Sequence, residues 1–320
     1  MNWPNHDGPW RQWRDALSSS RMHHGWLLAG KSGLGKHDFA LAAARELVAE
    51  EGVLQPAGDH PDILTLTHLP KDDKEEKKRD EGKPYQTKRN IAVSQIRAMQ
   101  KRLTTRPTLG SRRVIIIDPA DDMEPSASNA LLKSLEEPPQ GTFFLLVTHR
   151  PSRLLPTIRS RCRVMRFPVL NARQMEQMLS EQSGETNPAA LEAARLASGG
   201  SYGAALRFME QDLAPIAASI GQLLREGDPK FALRGELARL IGGRPDRERL
   251  QAVLELAQAI TAQAARTADP AQRIALIDAH GELVALAGQA PTFNYDAGLL
   301  VMEIGTLLVA AAPASARANV

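Results

Sequence analysis

Between Trp26 and Phe39 the chain reads W-L-L-A-G-K-S-G-L-G-K-H-D-F, and no other stretch limits its fold so tightly. Trp26 to Ala29 is a short apolar run of the kind that forms a buried strand. Gly30, four further residues, Gly35 and Lys36 follow, and then Phe39, Ala43, Leu47 and Val48 recur at helical spacing. A strand, G-x-x-x-x-G-K and a helix make a phosphate-binding P-loop in its expected context. Gly30, Gly33 and Gly35 let successive N–H groups turn inward around an anion, the helix N-terminus adds its positive end, and Lys36 would reach the β- and γ-phosphates. The next position breaks the pattern. A working loop has Ser or Thr there, whose hydroxyl holds Mg²⁺, and this chain has His37. Imidazole suits a hard, oxygen-seeking cation poorly. The bland alternative is a glycine-rich turn that only joins strand to helix.

Composition narrows the rest. The chain has 320 residues, enough for two or three domains with real cores. Its net charge of +3 permits contact with nucleic acid without arguing for it. Cys162 is its one cysteine, so a disulfide framework or a four-cysteine zinc site within the chain is ruled out, and a reducing, cytoplasmic setting is expected. The first ten residues hold no apolar signal segment. The longest apolar run, Gly298 to Ala312, carries Glu303 and is too short for a membrane span.

Taken in order, Trp3, Trp10 and Trp13 precede the loop and are read as packing residues, with a short helix over Arg11–Leu17. A strand is expected at Ile63–Leu66. Residues 71–89 mix both signs of charge with almost no apolar side chain and are expected to form a mobile surface excursion. A helix capped by Ser94 runs to about Leu103. R-R-V-I-I-I-D at Arg112–Asp118 is a buried strand ending in an acid, the Walker B pattern, in which Asp118 would hold Mg²⁺. The catalytic Glu of such a site would come next, and Pro119 stands there; Asp121 and Asp122 lie further along the turn. A helix over Ser126–Leu135, with Ser126 as its cap, stops at Glu136-Glu137-Pro138-Pro139 because proline cannot continue it. Strands at Thr142–Thr148 and Arg163–Phe167 complete a parallel sheet covered on both faces. From Asn171 strand signals vanish and alanine- and leucine-rich helix takes over.

Four landmarks now stand in order: the P-loop, R-R-V-I-I-I-D, N-A-L-L-K-S-L-E-E-P-P at Asn129–Pro139, and S-R-C at Ser160–Cys162. Together they resemble the bacterial clamp-loader AAA+ proteins of DNA polymerase III. H-P-D at His60–Asp62 and Q-I-R at Gln95–Arg97 are similar to that family as well. The resemblance implies an α/β AAA+ core with a parallel sheet over residues 1–168, a small helical lid over 169–212 and an all-α collar domain over 213–312. Residues 313–320 are expected to be a disordered tail. It also implies tau/gamma and delta subunits as partners, the sliding clamp and primed DNA reached through the assembly, and no membrane.

Three departures from the family's ATPases point one way. His37 replaces the metal-binding hydroxyl, Pro119 the catalytic Glu, and Gly203 the arginine that senses phosphate. Each loss removes a named part of phosphoryl transfer. The expectation is a non-hydrolysing subunit that requires no cofactor, whose vestigial nucleotide-binding residues (Gly30, Gly33, Gly35, Lys36, His37, Asp118) bind ATP weakly and hold no metal. Relatives carry a four-cysteine zinc module ahead of H-P-D; Val53–Asp59 has no cysteine, so no zinc is expected. In the family the S-R-C arginine projects to a neighbour's ATP, which implies that Arg161 is a trans-acting finger. The bland reading is a basic surface cluster with Arg150, Arg153, Arg159, Arg163 and Arg166. Two rival functions stand beside this one: an active tau/gamma-type ATPase, and an AAA+ adaptor in another DNA pathway.

Overall fold

The computed structural model describes residues 3–19, 22–182, 188–243, 245–290 and 296–313. It divides into two compact units, Met1–Val169 and Leu170–Val320. Most of the expected tail, residues 314–320, lies outside the described residues.

In the first unit five strands make one parallel sheet. They are β1 (Gly25–Ala29), β2 (Ile63–Leu66), β3 (Arg113–Ile117), β4 (Thr142–Thr148) and β5 (Arg163–Arg166), in the order β2-β3-β4-β1-β5. Leu27 lies opposite Leu146 on one side and Val164 on the other, and Ile116 lies between Thr65 and Leu145. The central strands are apolar at nearly every position because both sheet faces are covered. Alternation then sorts them. Trp26, Leu28, Val114, Ile116, Leu145 and Val147 turn to one face and join Phe39, Ala43 and Leu47 of α2 (Lys36–Val48) and Trp13 of α1 (Asp7–Ser18). Leu27, Ile115, Ile117, Phe144 and Leu146 turn to the other. There they meet Ile96 and Met99 of α4 (Val93–Leu103) and Leu131 and Leu135 of α5 (Pro125–Glu136). Each such buried side chain contributes about 1.5–3 kcal/mol.

H-P-D proves to be a structural tie. Asp62 is fully buried and accepts the N–H groups of Thr108 (2.6 Å) and Leu109 (2.8 Å). Arg113 lies 3.7 Å from it and donates to the carbonyls of Thr105 and Arg106, so the loop before β3 is held from both ends.

Local starts differ from the sequence reading. Ser94 does not cap α4; the Gln95 side chain accepts the Ala92 N–H instead. Ser126 does not cap α5, which begins on Pro125, whose fixed φ suits a first turn. Residues 71–89 contain α3 (Asp73–Asp80), a helix where none was expected. Its side chains bury almost nothing, yet Asp72 accepts the Lys74 and Glu75 N–H groups and Lys78 pairs with Glu75. Local capping and charge pairing make this helix without a core.

The second unit is helical: α7 (Ala172–Gln182), α8 (Pro188–Ala197), α9 (Tyr202–Glu210), α10 (Ala214–Glu226), α11 (Ala232–Ile241), α12 (Arg247–Thr267), α13 (Pro270–Gln289) and α14 (Ala297–Ala310). Arg207 of α9 pairs with Glu255 of α12, which ties the earlier helices to the later ones. Among the described residues, no helix is long and apolar enough to cross a membrane.

Candidate functional site

The loop between β1 and α2 stands at the carboxyl end of the sheet, where open α/β sheets carry their ligands. Each of its glycines is required by geometry. Gly33 and Gly35 have φ of +73° and +72°, the left-handed region that glycine enters freely. A Cβ on Gly30 would lie 2.8 Å from the Phe167 carbonyl oxygen, and one on Gly35 would lie 2.2 Å from the Trp3 indole. So the chain's own N-terminal segment is pressed onto the loop at Gly35.

That segment is anchored at several points. Trp3 Nε1 donates to Asp38 Oδ2 at 2.9 Å, and the indole stacks on His6 with centroids 5.5 Å apart. His6 Nε2 donates to the Leu34 carbonyl at 2.8 Å, and the ring stands edge-on to Phe39 and Phe167. Burial lowers the His6 pKa, so the ring is neutral at pH 7. The tryptophans upstream of the loop are packing residues, as read from the sequence, but one of them packs onto the glycines of the motif. Three tryptophans close before a P-loop strand was the available signal.

Lys36 is buried and turned into the loop. Its ammonium donates to the carbonyls of Gly30 (2.8 Å) and Lys31 (2.5 Å). Burial pushes its pKa down to about 8, against the pull of Asp118 and Asp121. His37 and Asp118, the two positions that would share a metal, meet each other instead: His37 Nδ1 donates to Asp118 Oδ2 at 2.7 Å. That hydrogen bond raises the His37 pKa above 6.5, burial opposing it and the charges of Asp118 and Asp38 adding to it. The His37 ring thus occupies the Asp118 oxygen that a metal ion would take, and a proton gained by the ring is stabilised there. These residues do not fit Mg²⁺, since the ring offers nitrogen and the carboxylate is already engaged.

The acids beyond Pro119 are tied as well. Asp121, buried, accepts the His149 N–H at 2.9 Å and Arg150 Nε at 3.2 Å. Burial alone would raise its pKa, but the His149 N–H and the charges of His149 and Arg150 outweigh it and hold the carboxyl below its usual range. Asp122 takes Arg150 Nη2 at 3.1 Å and lies 3.3 Å from His68 Nε2. Neither carboxylate is poised to orient a water. The Asp121–Arg150 tie was missed because nothing in sequence links positions so far apart. Among the described residues, no group of three or more His, Cys, Asp or Glu side chains is arranged to hold a metal.

Arg161 occupies a different setting. It follows the short helix α6 (Pro156–Arg159), and its side chain is 34% exposed. Nη1 donates to the Thr157 carbonyl at 2.9 Å and Nη2 to Glu136 Oε1 at 2.6 Å. The neighbouring Cys162 is buried in the α5-side core, and burial pushes its thiol up to about 12, an inert packing residue. Gly203 lies in the first turn of α9, in the second unit, behind the Ser201 cap.

Comparison with known proteins completes the description. A family described as "DNA polymerase III, delta subunit" matches residues 6–171. The DNA polymerase III subunit delta' of Pseudomonas aeruginosa is 32% identical over 236 residues, 68% of this chain and 67% of that protein. That of Escherichia coli K12 is 32% identical over 209 residues, 62% of this chain and 58% of that protein. The chain thus spans between about half and two thirds of the delta' relatives it matches. A gamma-subunit-related protein of DNA polymerase III from Thermotoga maritima has a similar fold, with a TM-score of 0.50 at 19% identity, over 94% of this chain and 98% of that one.

Proposed function

The chain belongs to the delta-prime family of DNA polymerase III subunits, and on that premise we propose that it is a non-hydrolysing clamp-loader subunit that completes a neighbour's ATP site with Arg161. Its partners are tau/gamma and delta subunits in the cytoplasm. The sliding clamp and primed DNA are reached through the assembly. Residues 169–212 serve as the lid, and residues 213–312 join the helical collar.

One observation carries the reading. The P-loop keeps its strand-loop-helix context, while the two metal positions are spent on each other as the 2.7 Å His37–Asp118 hydrogen bond. Trp3 on Gly35 supports it further, since a nucleotide would have to displace a stacked and hydrogen-bonded indole. On this reading ATP binds weakly and without Mg²⁺, no zinc is needed, and no cofactor is required.

The test is reconstitution with tau/gamma and delta subunits, followed by clamp- and DNA-stimulated ATP hydrolysis with and without this chain. The isolated chain should turn over no more than its Lys36→Ala variant. Turnover near 1 per second or faster, ordinary for a competent enzyme, would instead identify a tau/gamma-type ATPase. Failure to assemble with these partners would point to an adaptor in another DNA pathway.

A further inference from the structure

The turn carrying Arg161 is built against the end of α5. Its backbone is fixed locally, the Arg161 N–H donating to the Ile158 carbonyl at 3.1 Å. Besides a long contact of Nη1 with Ser160 Oγ (3.5 Å), the side chain is then held at two points on different elements. Thr157, four residues earlier, takes Nη1, and Glu136, the last residue of α5, takes Nη2. Helix α5 ends there because Pro138 and Pro139 follow. The acid that opens E-E-P-P is thereby set beside the arginine of S-R-C, although the two lie 25 positions apart (161 − 136).

A guanidinium has five N–H donors, and these contacts leave it donors to spare. Its stem is long and loses rotamer freedom whenever it is fixed in one place. A carboxylate that already holds it lessens that loss when a phosphate arrives. With side chains 34% and 48% exposed, the ion pair is too weak to compete with a multiply charged phosphate. We propose that Glu136 is a positioning residue for Arg161: its carboxylate holds the guanidinium at the surface, in the orientation from which it meets a phosphate of a neighbour's nucleotide. This rests on the finger reading above.

The experiment uses the reconstituted assembly and follows steady-state ATP hydrolysis as a function of ATP concentration. Glu136→Ala should lower kcat about threefold to fivefold, the size expected of an exposed ion pair. KM should stay unchanged, because a finger acts in the transition state. Glu136→Asp should recover part of the loss. Glu136→Ala added to Arg161→Ala should cost nothing more, since the carboxylate then has no guanidinium to hold. A wild-type kcat for Glu136→Ala beside a large loss for Arg161→Ala would overturn the proposal and leave the finger in place. A Glu136→Ala loss that persists in the Arg161→Ala background would overturn it too, by showing an effect on α5 itself. Should Arg161→Ala itself change nothing, the finger reading falls and the proposal falls with it.

Discussion

The P-loop and the S-R-C turn lie in the same α/β unit, and both are written in letters associated with nucleotide chemistry. Their surroundings differ in kind. At the P-loop three successive side chains are engaged from within: Lys36 by loop carbonyls, His37 by Asp118, and Asp38 by the Trp3 indole. At the S-R-C turn a guanidinium is steadied on one side, with a third of the side chain in water. A site that must act on a ligand in cis needs groups left unsatisfied until the ligand arrives. An arginine that acts on a neighbour needs only to stand at a surface in a defined pose. The motif letters alone do not separate the two cases, because G-x-x-x-x-G-K is intact in the first although its two metal positions are hydrogen-bonded to each other.

The largest effect that bears on this contrast is that of Arg161→Ala. The side chain belongs to neither hydrophobic core and keeps a third of its surface in water, so the chain should fold and the assembly form. Clamp- and DNA-stimulated hydrolysis should nonetheless fall at least about tenfold. A finger in trans is worth about 10³–10⁵ at a single site, and any further ATP site in the assembly would dilute the loss. Arg161→Lys should rescue poorly, since a point charge does not reproduce the planar fork. Arg153→Ala and Arg166→Ala are the controls. Equal, mild losses for all three would reduce Arg161 to part of a basic surface, and the contrast would be gone.

Next in size is Trp3→Ala. It removes an aromatic stack and a hydrogen bond, together about 2 kcal/mol of stability, read as a midpoint several degrees lower in a thermal melt. Nucleotide binding to this variant should remain independent of Mg²⁺, because the His37–Asp118 pair is untouched. Tight, Mg²⁺-dependent ATP binding by Trp3→Ala in calorimetry would mean that the indole alone had closed a working site.

How far such contrasts can be read from sequence depends on the range of the interactions behind them. The sheet was legible because Val114–Ile117 and Thr142–Thr148 are apolar runs too short for helices, and the partners of a buried strand leave that mark on every residue. Helix starts were misread at Ser94 and Ser126, where a glutamine side chain and a proline did the work expected of a serine. Helix α3 was missed because its support is a cap and charge pairs rather than a buried stripe. Gly30, Gly33, Gly35, Lys36, His37 and Asp118 were singled out from motif patterns, and Arg161 from the family resemblance. The contacts that decide what they do were not, since Trp3 meets Gly35 and Glu136 meets Arg161 across the fold. Side-chain pairs of that kind leave no periodic trace.

A smaller effect sharpens the P-loop side of the comparison. The folded state raises the His37 pKa above 6.5 by its bond to Asp118. A raised base contributes stability that is fully present below about pH 6.5 and is lost as pH rises through the folded value. His37→Gln keeps a donor for Asp118 but cannot titrate. Wild type should therefore melt above His37→Gln at pH 5.5, and the two should converge by pH 9. The gap should stay near or below about 1 kcal/mol, because the imidazole is 40% exposed and water screens the pair. A gap that is the same at both pH values would show that His37 does not stand in for a cation.

The smallest expected effect is the most diagnostic, because it concerns the lysine that no working P-loop can lose. Lys36→Met should leave the assembly's ATP hydrolysis within about twofold of wild type, since this loop contributes no catalysis on the present reading; a loss comparable to that of Arg161→Ala would put this chain among the hydrolysing subunits. The same variant has a second signature, in stability. Burial lowers the Lys36 pKa from 10.5 to about 8, so between those values the unfolded chain binds more protons than the folded one. Stability of the wild type should therefore gain a rising component between about pH 8 and 10.5, as the buried ammonium is relieved of its charge. Methionine carries no charge to relieve, and Lys36→Met should lack that component in denaturant melts across the same range. A wild-type and a variant curve that run parallel there would mean that Lys36 reaches water, in which case the loop is open to ligands and its difference from the S-R-C turn is one of residues only.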